Sequence, residues 1–138
     1  MVIIYISPSC TSCRKAHRWL EEYDVPFVVR NIMSDPPTRT ELIKILSLTT
    51  EGTDEIISMR SKAFRDLNID VDDMTLQEVY KLIQIHPEIL RKPIIMDERR
   101  IQVGYNEGQI RQFVPKSHRQ DQLNHANHML ATFENSIL

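Results

Sequence analysis

The hydrophobic pattern of the first thirty residues changes twice, and each pattern predicts a different element. Residues 2–6, "VIIYI", form a nearly continuous apolar, β-branched run, which is typical of an interior strand in a sheet covered on both faces. Apolar residues then recur three or four positions apart from Ala16 to Tyr23, which indicates one face of a helix. Pro26 opens a second short strand, "PFVVRNI". The order strand, helix, strand predicts a right-handed parallel crossover.

The middle of the chain, residues 36–90, shows helical patterns without a strand. Thr38 with Glu41 and Thr75 with Glu78 are two capping-box patterns, and each precedes an apolar stripe at helical spacing. The segment between these two helices mixes helical periodicity with charges and predicts short helices. We therefore expect a helical insertion between two parts of a sheet.

The strand pattern returns after the helical insertion. Residues 93–96 and 100–103 read as two strands, and the "DERR" between them predicts an antiparallel hairpin. Asn106 with Gln109 then predicts the cap of a short final helix. This order predicts an α/β fold with a thioredoxin-like mixed sheet and an inserted helical section. We expect one such domain over residues 1–118, with the insertion at about 36–90.

The remaining residues, 119–138, form a polar tail with a regular apolar stripe. Its apolar residues have heptad-like spacing: Leu123, Ala126, Leu130, Phe133 and Ile137. Three interpretations stay open from the sequence: a helix packed on the body of the protein, a helix for a partner, or a frayed end.

Composition and charge narrow the class of protein. A chain of 138 residues with 41% hydrophobic and 26% charged residues fits a soluble globular domain with its own core. The net charge of -2 argues against a protein that holds nucleic acid by bulk electrostatics, although a local basic patch stays open. The start lacks a basic signal-peptide region, and no stretch has the roughly 18 apolar residues of a membrane helix. We expect a cytoplasmic protein without membrane contact.

Cys10 and Cys13 are the only cysteines, and they form a CxxC motif where the first strand passes into the first helix. Unpaired N–H groups and partial positive charge at a helix N-terminus favour the thiolate of Cys10. Arg14 and Lys15 add positive charge on the same turns. The expected chemistry is attack by one thiolate on an oxidant or disulfide, resolved by the other cysteine into an intramolecular disulfide. A cytosolic CxxC at this position favours redox chemistry over a permanent bridge.

Two other interpretations of the cysteines are weaker. A structural zinc site needs four ligands, and the chain has no second CxxC. His125 and His128 would supply the missing ligands only if the tail folded back over the first loop, and a solvated polar face explains them more simply. The other interpretation is that the cysteines are two small buried hydrophobic residues. We predict neither a metal site nor a cofactor.

Lys92 and Pro93 lie at the start of the third predicted strand. Thioredoxin-type folds carry a cis-proline beside the active site at this point in the chain order. By that analogy, Pro93 is the cis-proline and Lys92 projects near the sulfurs, where it would pair with a thiolate or hold an anion. The alternative is a solvated lysine at a strand edge.

Four separate blocks carry a family resemblance: "SPSCTSCRKAHRWLEE", "GTDEIISMRSKAF", "HPEILRKPIIMDE" and "QVGYNEGQIRQF". Together, and in this order, they resemble the Spx family of redox-responsive transcription regulators of low-GC Gram-positive bacteria. That family is in the arsenate-reductase-like branch of the thioredoxin superfamily. The resemblance runs from residue 1 to about 115, and the final segment matches least well.

The resemblance implies a function that the CxxC motif alone does not. Spx-type proteins bind the C-terminal domain of the RNA polymerase α subunit and alter promoter recognition under thiol stress. The resemblance implies a switch disulfide between Cys10 and Cys13, and a polymerase-binding surface that includes Gly52, Arg60 and Lys62. Basic residues of this region are expected to reach promoter DNA only in the complex with polymerase.

The resemblance also leads us to expect two departures from the family. Members typically carry an arginine where this chain has Lys92, and lysine keeps the charge but loses the planar fork for bidentate anion contacts. Members are degraded by a ClpX-type protease, aided by an adaptor, that reads the C-terminus. The "SIL" ending differs from the small-residue tail associated with that recognition.

An enzyme of the arsenate reductase type is the main alternative to a regulator. Glutaredoxin-linked arsenate reductases use one nucleophilic cysteine at the position of Cys10, and three arginines hold the oxyanion. Arg60 and Lys92 would supply two of the charges, but the third position aligns with Gly104. Losing that charged hydrogen bond costs about 1.5–3 kcal/mol of anion binding. A general disulfide oxidoreductase is a weaker alternative, because the usual aromatic-Cys-Gly-Pro-Cys motif is missing. We therefore expect a regulator and not an enzyme.

Overall fold

The structure is a computed structural model that describes residues 1–115, and its centre is a four-stranded mixed sheet. The strands are β1 (Val2–Ile6), β2 (Phe27–Asn31), β3 (Ile94–Met96) and β4 (Ile101–Val103), in the spatial order β2-β1-β3-β4. Strand β1 pairs in parallel with β2 and antiparallel with β3, and β3 and β4 form an antiparallel hairpin. The predicted interior first strand, parallel pair and hairpin are confirmed.

Helices connect and cover the sheet. The α-helices are α1 (Thr11–Glu22), α2 (Arg39–Leu48), α3 (Thr53–Ile56), α4 (Lys62–Arg65) and α5 (Leu76–Ile85). Within residues 1–115, three 3₁₀ helices span Val71–Asp73, Pro87–Ile89 and Ile110–Phe113. Helices α2 to α5 all lie between β2 and β3, so the predicted helical insertion is confirmed. Within the insertion, the backbone makes an isolated antiparallel bridge between Ile57 and Leu90.

Apolar clusters cover both faces of the sheet, as the continuous apolar pattern of β1 predicts. Ile4 belongs to one cluster with Trp19 of α1, whereas Tyr5 belongs to the other with Leu42 of α2 and Ile83 of α5. Because neighbouring residues of a strand point to opposite faces, one short strand serves both clusters. The helical insertion is therefore packed on the sheet and has a defined position relative to the end of β1.

The two predicted capping boxes form differently. At α2 the Glu41 amide donates to the Thr38 hydroxyl and the Thr38 amide donates to the Glu41 carboxylate, each at 3.2 Å, so the box is complete. At α5 the Glu78 amide donates to the Thr75 hydroxyl at 3.2 Å, but that hydroxyl itself donates to the Glu78 carboxylate at 3.1 Å. Both helix starts are as predicted, and they fix the two long helices of the insertion.

A part-buried polar network ties the start of α2 to the sheet. Tyr5 donates its hydroxyl to Glu41 at 2.5 Å, and the Arg30 guanidinium donates to the same carboxylate oxygen at 2.8 Å. Burial of Glu41 alone would raise its pKa, but these hydrogen bonds, together with one from the Thr38 backbone, hold that pKa below its usual value. Burial and the bond to Glu41 raise the pKa of Tyr5. The network fixes the insertion against β1 and β2.

The three interpretations of the tail 119–138, and that of His125 and His128 as zinc ligands, concern residues outside the described range 1–115.

Across residues 1–115, the helices are all too short or too polar to span a lipid bilayer.

Candidate redox site

Cys10 caps the N-terminus of α1. Its backbone is extended, with φ −105° and ψ 111°, and its Sγ accepts a hydrogen bond from the Cys13 amide at 3.2 Å. Ser9, directly before it, has φ 61° in the left-handed region, which turns the chain from β1 into the helix. Cys10 is half-buried, whereas Cys13 is only 3% exposed, and both are free thiols. The predicted placement of the pair at a helix start is therefore observed.

The environment of Cys13 keeps its thiol protonated. Burial, followed by the hydrogen bond to Cys10, raises the pKa of Cys13 from 9.0 to about 12. A backbone hydrogen bond from Ser7 and the charge of Lys92 act in the opposite direction and are outweighed. Because Cys13 is buried and neutral while Cys10 borders solvent, Cys10 is the more accessible sulfur of the pair.

Cys10 separates two surface depressions. The first, of about 500 Å³, runs along α1 and includes Cys13, Arg14, His17 and Arg18 in its lining. The second, of about 320 Å³, lies between the Cys10 loop and the helical insertion. Its lining includes Ser58, Ser61, Glu88, Arg91 and Lys92. Cys10 is therefore open from two sides, and two cations border each depression: Arg14 and Arg18 the first, Arg91 and Lys92 the second.

Lys92 lies beside the cysteine pair and directly precedes Pro93. The Lys92–Pro93 peptide bond is cis. The Lys92 ammonium donates to the Glu88 carbonyl at 3.3 Å and lines the same depression as Cys10. The Glu88 carbonyl thus holds Lys92 in place, and the charge of Lys92 acts to lower the pKa of Cys13.

The residues expected at the polymerase surface lie in the insertion. Gly52 precedes α3, whereas Arg60 and Lys62 flank Ser61 at the start of α4. Arg60 is exposed and does not line the depression at Cys10. The Lys62 ammonium, also exposed, pairs with Asp66 at 3.1 Å. The structure therefore does not bring Arg60 together with Lys92 as an anion-binding pair.

Three residues of the second depression were missed from the sequence: Ser58, Ser61 and Arg91. Arg91 is the immediate neighbour of Lys92, and the two serines flank the "MR" of the "SMRS" stretch, so proximity in sequence was the available signal. Ser61 also caps α4 by accepting from the Phe64 amide at 3.2 Å. The second cation at the site is therefore Arg91 and not the expected Arg60.

Gly52 has a backbone conformation that side chains disfavour. Its φ is 73° and its ψ is −135°, and a Cβ added there would meet nothing within 4 Å. The glycine is required by its backbone angles and not by crowding. The space around it is open, so a partner can approach this position closely.

Backbone hydrogen bonds join the insertion to the segment before Lys92. The Ser58 amide donates to the Ile89 carbonyl at 2.8 Å, and the Arg91 amide donates to the Ile56 carbonyl at 2.7 Å. The Arg91 guanidinium also donates to the Ile57 carbonyl at 3.3 Å. These contacts fasten the end of α3 to the residues directly before Lys92.

Metal ligands do not gather at this site. In the portion that the structure describes, no three or more His, Cys, Asp or Glu side chains form a group that could hold a metal ion. The depressions that contain the cysteines are lined by serines, by four cations and by Glu21 and Glu88, and cations near a thiol favour its thiolate form.

Comparison with known proteins identifies the family. Residues 5–113 match the ArsC family. The chain is 57% identical over 129 residues to "Global transcriptional regulator Spx" of Bacillus subtilis (strain 168), covering 94% of this chain and 98% of that protein. The chain belongs to the Spx family. An Spx protein of Listeria innocua is 55% identical over 130 residues, covering 94% of this chain and 99% of the relative. The resemblance found in the sequence blocks is confirmed.

Solved structures confirm the predicted fold class for this Spx-family chain. An arsenate reductase from Vibrio cholerae superposes with a TM-score of 0.72 at 18% identity, covering 81% of this chain and 96% of that one. An arsenate reductase related protein from Brucella melitensis gives a TM-score of 0.59 at 19% identity, covering 81% and 92%. At such identities the likeness concerns the fold alone: an arsenate-reductase-like, thioredoxin-type α/β architecture.

Proposed function

We propose that this Spx-family protein is a redox-responsive global transcription regulator whose switch is a Cys10–Cys13 disulfide. The main observation that supports this proposal is the position of solvent-facing Cys10 at the start of α1, with buried Cys13 one turn later. A relative 57% identical over nearly its whole length bears the name of a global transcriptional regulator. The thiol chemistry and the relative together support sensing rather than turnover.

The proposed switch is a two-electron oxidation. The Cys10 thiolate attacks one oxygen of a peroxide, the O–O bond breaks, and the departing oxygen takes up a proton. The resulting Cys10 sulfenic acid is then attacked by the Cys13 sulfur. The S–S bond forms as the S–O bond breaks, and the hydroxyl leaves as water with the Cys13 proton. Two thiols and one hydrogen peroxide become one disulfide and two waters. A 3.2 Å contact between the Cys13 amide and Cys10 Sγ supports the required proximity.

The proposed partner is the C-terminal domain of the RNA polymerase α subunit, bound at a surface that includes Gly52, Arg60 and Lys62. Open space around Gly52 and the exposure of Arg60 and Lys62 support this assignment. The hydrogen bonds between 56–58 and 89–91 support a route from the disulfide, past Lys92, to the same surface.

Further partners follow from the same proposal. Promoter DNA is contacted only in the complex with polymerase, because the net charge of -2 gives the chain alone little affinity for phosphates. A ClpX-type protease and its adaptor are proposed to control the amount of the protein. We propose a cytoplasmic location, where RNA polymerase, the protease and its adaptor are found.

The arsenate reductase alternative is weaker because two of the three expected anion-binding charges are missing from the site. Arg91 and Lys92 border the depression at Cys10, but Arg60 does not. Gly104, at the position expected for a third arginine, donates its amide to the Pro93 carbonyl at 2.7 Å and has φ 83°. The fold neighbours named arsenate reductases nevertheless make the assay worthwhile: turnover of arsenate with glutathione and glutaredoxin should be negligible. A robust rate would favour the enzyme.

Capture of purified polymerase α subunit tests the regulator proposal directly. We expect binding by the wild-type protein and loss of binding by Gly52→Arg. Gly52→Ala is the matched control, because any Cβ at φ 73° carries a backbone strain of about 1–3 kcal/mol, whereas only arginine adds bulk and charge. The proposal requires that Gly52→Ala binds and Gly52→Arg does not. Equal binding by both variants contradicts this surface, and no binding by the wild type contradicts the partner.

A further inference from the structure

The resolving step of the proposed switch requires the buried Cys13 thiol to lose its proton. Burial, followed by the hydrogen bond to Cys10, raises the pKa of Cys13 to about 12. Since each pH unit is a factor of ten, about one Cys13 thiol in a hundred thousand is ionised at pH 7. The thiolate is the attacking form of cysteine, so closure of the disulfide needs a base close to Cys13.

The depression along α1 brings one base within reach of Cys13. Apart from the cysteines, the described residues of its lining that carry a basic group are His17 and Glu21, because the arginines stay protonated. His17 is one helical turn from Cys13, whereas Glu21 is two turns away. Side chains four positions apart on a helix have Cβ atoms about 5–6 Å apart, and they lean towards the helix N-terminus. The His17 imidazole therefore reaches the Cys13 sulfur directly or through one water molecule.

Contacts on two sides hold the half-buried His17 ring. Its Nδ1 lies 3.1 Å from the Glu21 carboxylate. Its ring also meets the ring of Phe27 in β2 edge-on, with centroids 5.2 Å apart and an interplanar angle of 85°. A carboxylate accepts from Nδ1–H, so the contact with Glu21 favours the tautomer in which Nε2 carries the lone pair. Cys13, His17 and Glu21 thus follow one another as nucleophile, base and orienting acid on successive turns of α1.

We propose that His17 is the general base that takes the Cys13 proton when the disulfide closes, with Glu21 as its positioning residue. This inference rests on the proposed redox switch. The Cys13 proton passes to Nε2 of His17 as the Cys13 sulfur forms a bond to the sulfenic sulfur of Cys10. The S–O bond breaks, and the departing hydroxide takes the same proton from the imidazolium and leaves as water. His17 returns to its neutral form, and the peroxide of the first step remains the sole oxidant.

Rapid-quench oxidation of the full-length reduced protein with hydrogen peroxide tests this role. Intact mass separates the sulfenic acid, which has gained an oxygen, from the disulfide, which has lost two hydrogens, so the closing rate is measured apart from the first step. In His17→Ala we expect the sulfenic acid to accumulate and closing to slow about a hundredfold. His17→Phe, which keeps a ring against Phe27, should be equally slow. Glu21→Gln should slow closing to a lesser extent, because the base is present but less well oriented.

A matched control and a chemical rescue separate base catalysis from packing. His86 also pairs with a glutamate, Glu88, at 3.0 Å, and its side chain is about as exposed as that of His17. His86 does not border the depression that contains Cys13, so His86→Ala should close at the wild-type rate. Imidazole added to the medium should speed closing in His17→Ala and leave the wild-type rate unchanged, which a purely structural role of the ring does not predict.

The outcomes distinguish the base from the switch. Closing at the wild-type rate in His17→Ala or His17→Phe overturns the role of His17, as does a failure of imidazole to speed closing in His17→Ala. An equal loss in His86→Ala also overturns it. All three results leave the switch in place, since the disulfide still forms. A wild-type protein that forms no disulfide with peroxide overturns the switch itself, and this inference with it.

Discussion

The raised pKa of Cys13 leads to a prediction about how fast its thiol is alkylated. Cys13 is 3% exposed, and its pKa is raised to about 12, chiefly by burial. Iodoacetamide reacts with thiolates and not with thiols. We therefore expect Cys13 to react far more slowly in the folded protein than in urea, where burial is lost.

The size of the effect follows from the two pKa values. A rise from 9.0 to about 12 lowers the thiolate fraction at pH 8 roughly a thousandfold, since each pH unit is a factor of ten. Reaction through global unfolding does not bypass this limit, because a stability of about 5 kcal/mol or more leaves about 1 molecule in 5,000 unfolded. The expected ratio of alkylation rates, urea to native, is therefore about a thousand.

Single-cysteine variants make the assay specific, because Cys10 and Cys13 fall in the same tryptic peptide. Alkylation of Cys10→Ser at pH 8 is followed by intact mass, in buffer and in urea. Losing Cys10 removes two causes of the raised pKa, its hydrogen bond and its charge, but leaves burial, the largest, so the ratio in this variant should be large but below a thousand. Cys13→Ser is the matched control, and half-buried Cys10 in that variant should be accelerated much less by urea.

Fast native alkylation of Cys13 would refute this reasoning. If the native and urea rates of the Cys10→Ser variant differ by less than tenfold, while circular dichroism shows a folded protein, then Cys13 is not shielded. The proposed order of events, with Cys10 attacking and Cys13 resolving, would then lose its physical basis.

Three further predictions concern stability and charge. Because the folded state holds the Cys13 proton more tightly than the unfolded state, the free energy of unfolding should be fully present below about pH 9 and fall as pH rises towards 12, by at most about 1.4 kcal/mol per pH unit. Urea titrations at pH 8 and 10.5 measure this, and Cys13→Ser should show a smaller fall. Glu41→Ala removes the partner of Tyr5 and Arg30 and should cost about 2–4 kcal/mol in urea unfolding, against about 0.5–1 kcal/mol for the control Glu78→Ala. Equal losses in the two variants would contradict the network. Lys92→Gln removes a charge that lowers the pKa of Cys13 and should slow its alkylation about two- to fivefold, while an unchanged rate would place that charge out of effective range.

Local sequence patterns determined the elements of this protein and the place of its reactive thiol. The apolar run of β1, the Thr38 and Thr75 caps and the helical insertion all follow from spacings of two to four residues. Cys10 at the start of α1 follows in the same way, because a helix start is encoded within one turn. The family resemblance then added a function that no local pattern contains.

Only the tertiary structure decided which distant residues share a site. It placed Arg91 instead of Arg60 at the Cys10 depression and joined Tyr5 to Glu41 across 36 positions of sequence. In the sequence, Tyr5 is one more apolar member of a strand. Its hydroxyl finds a partner only because α2 crosses the face to which Tyr5 points. Such contacts depend on how whole elements pack against one another. Shifting a strand or turning a helix by one residue moves a side chain to another face, so sequence spacing alone does not specify these contacts.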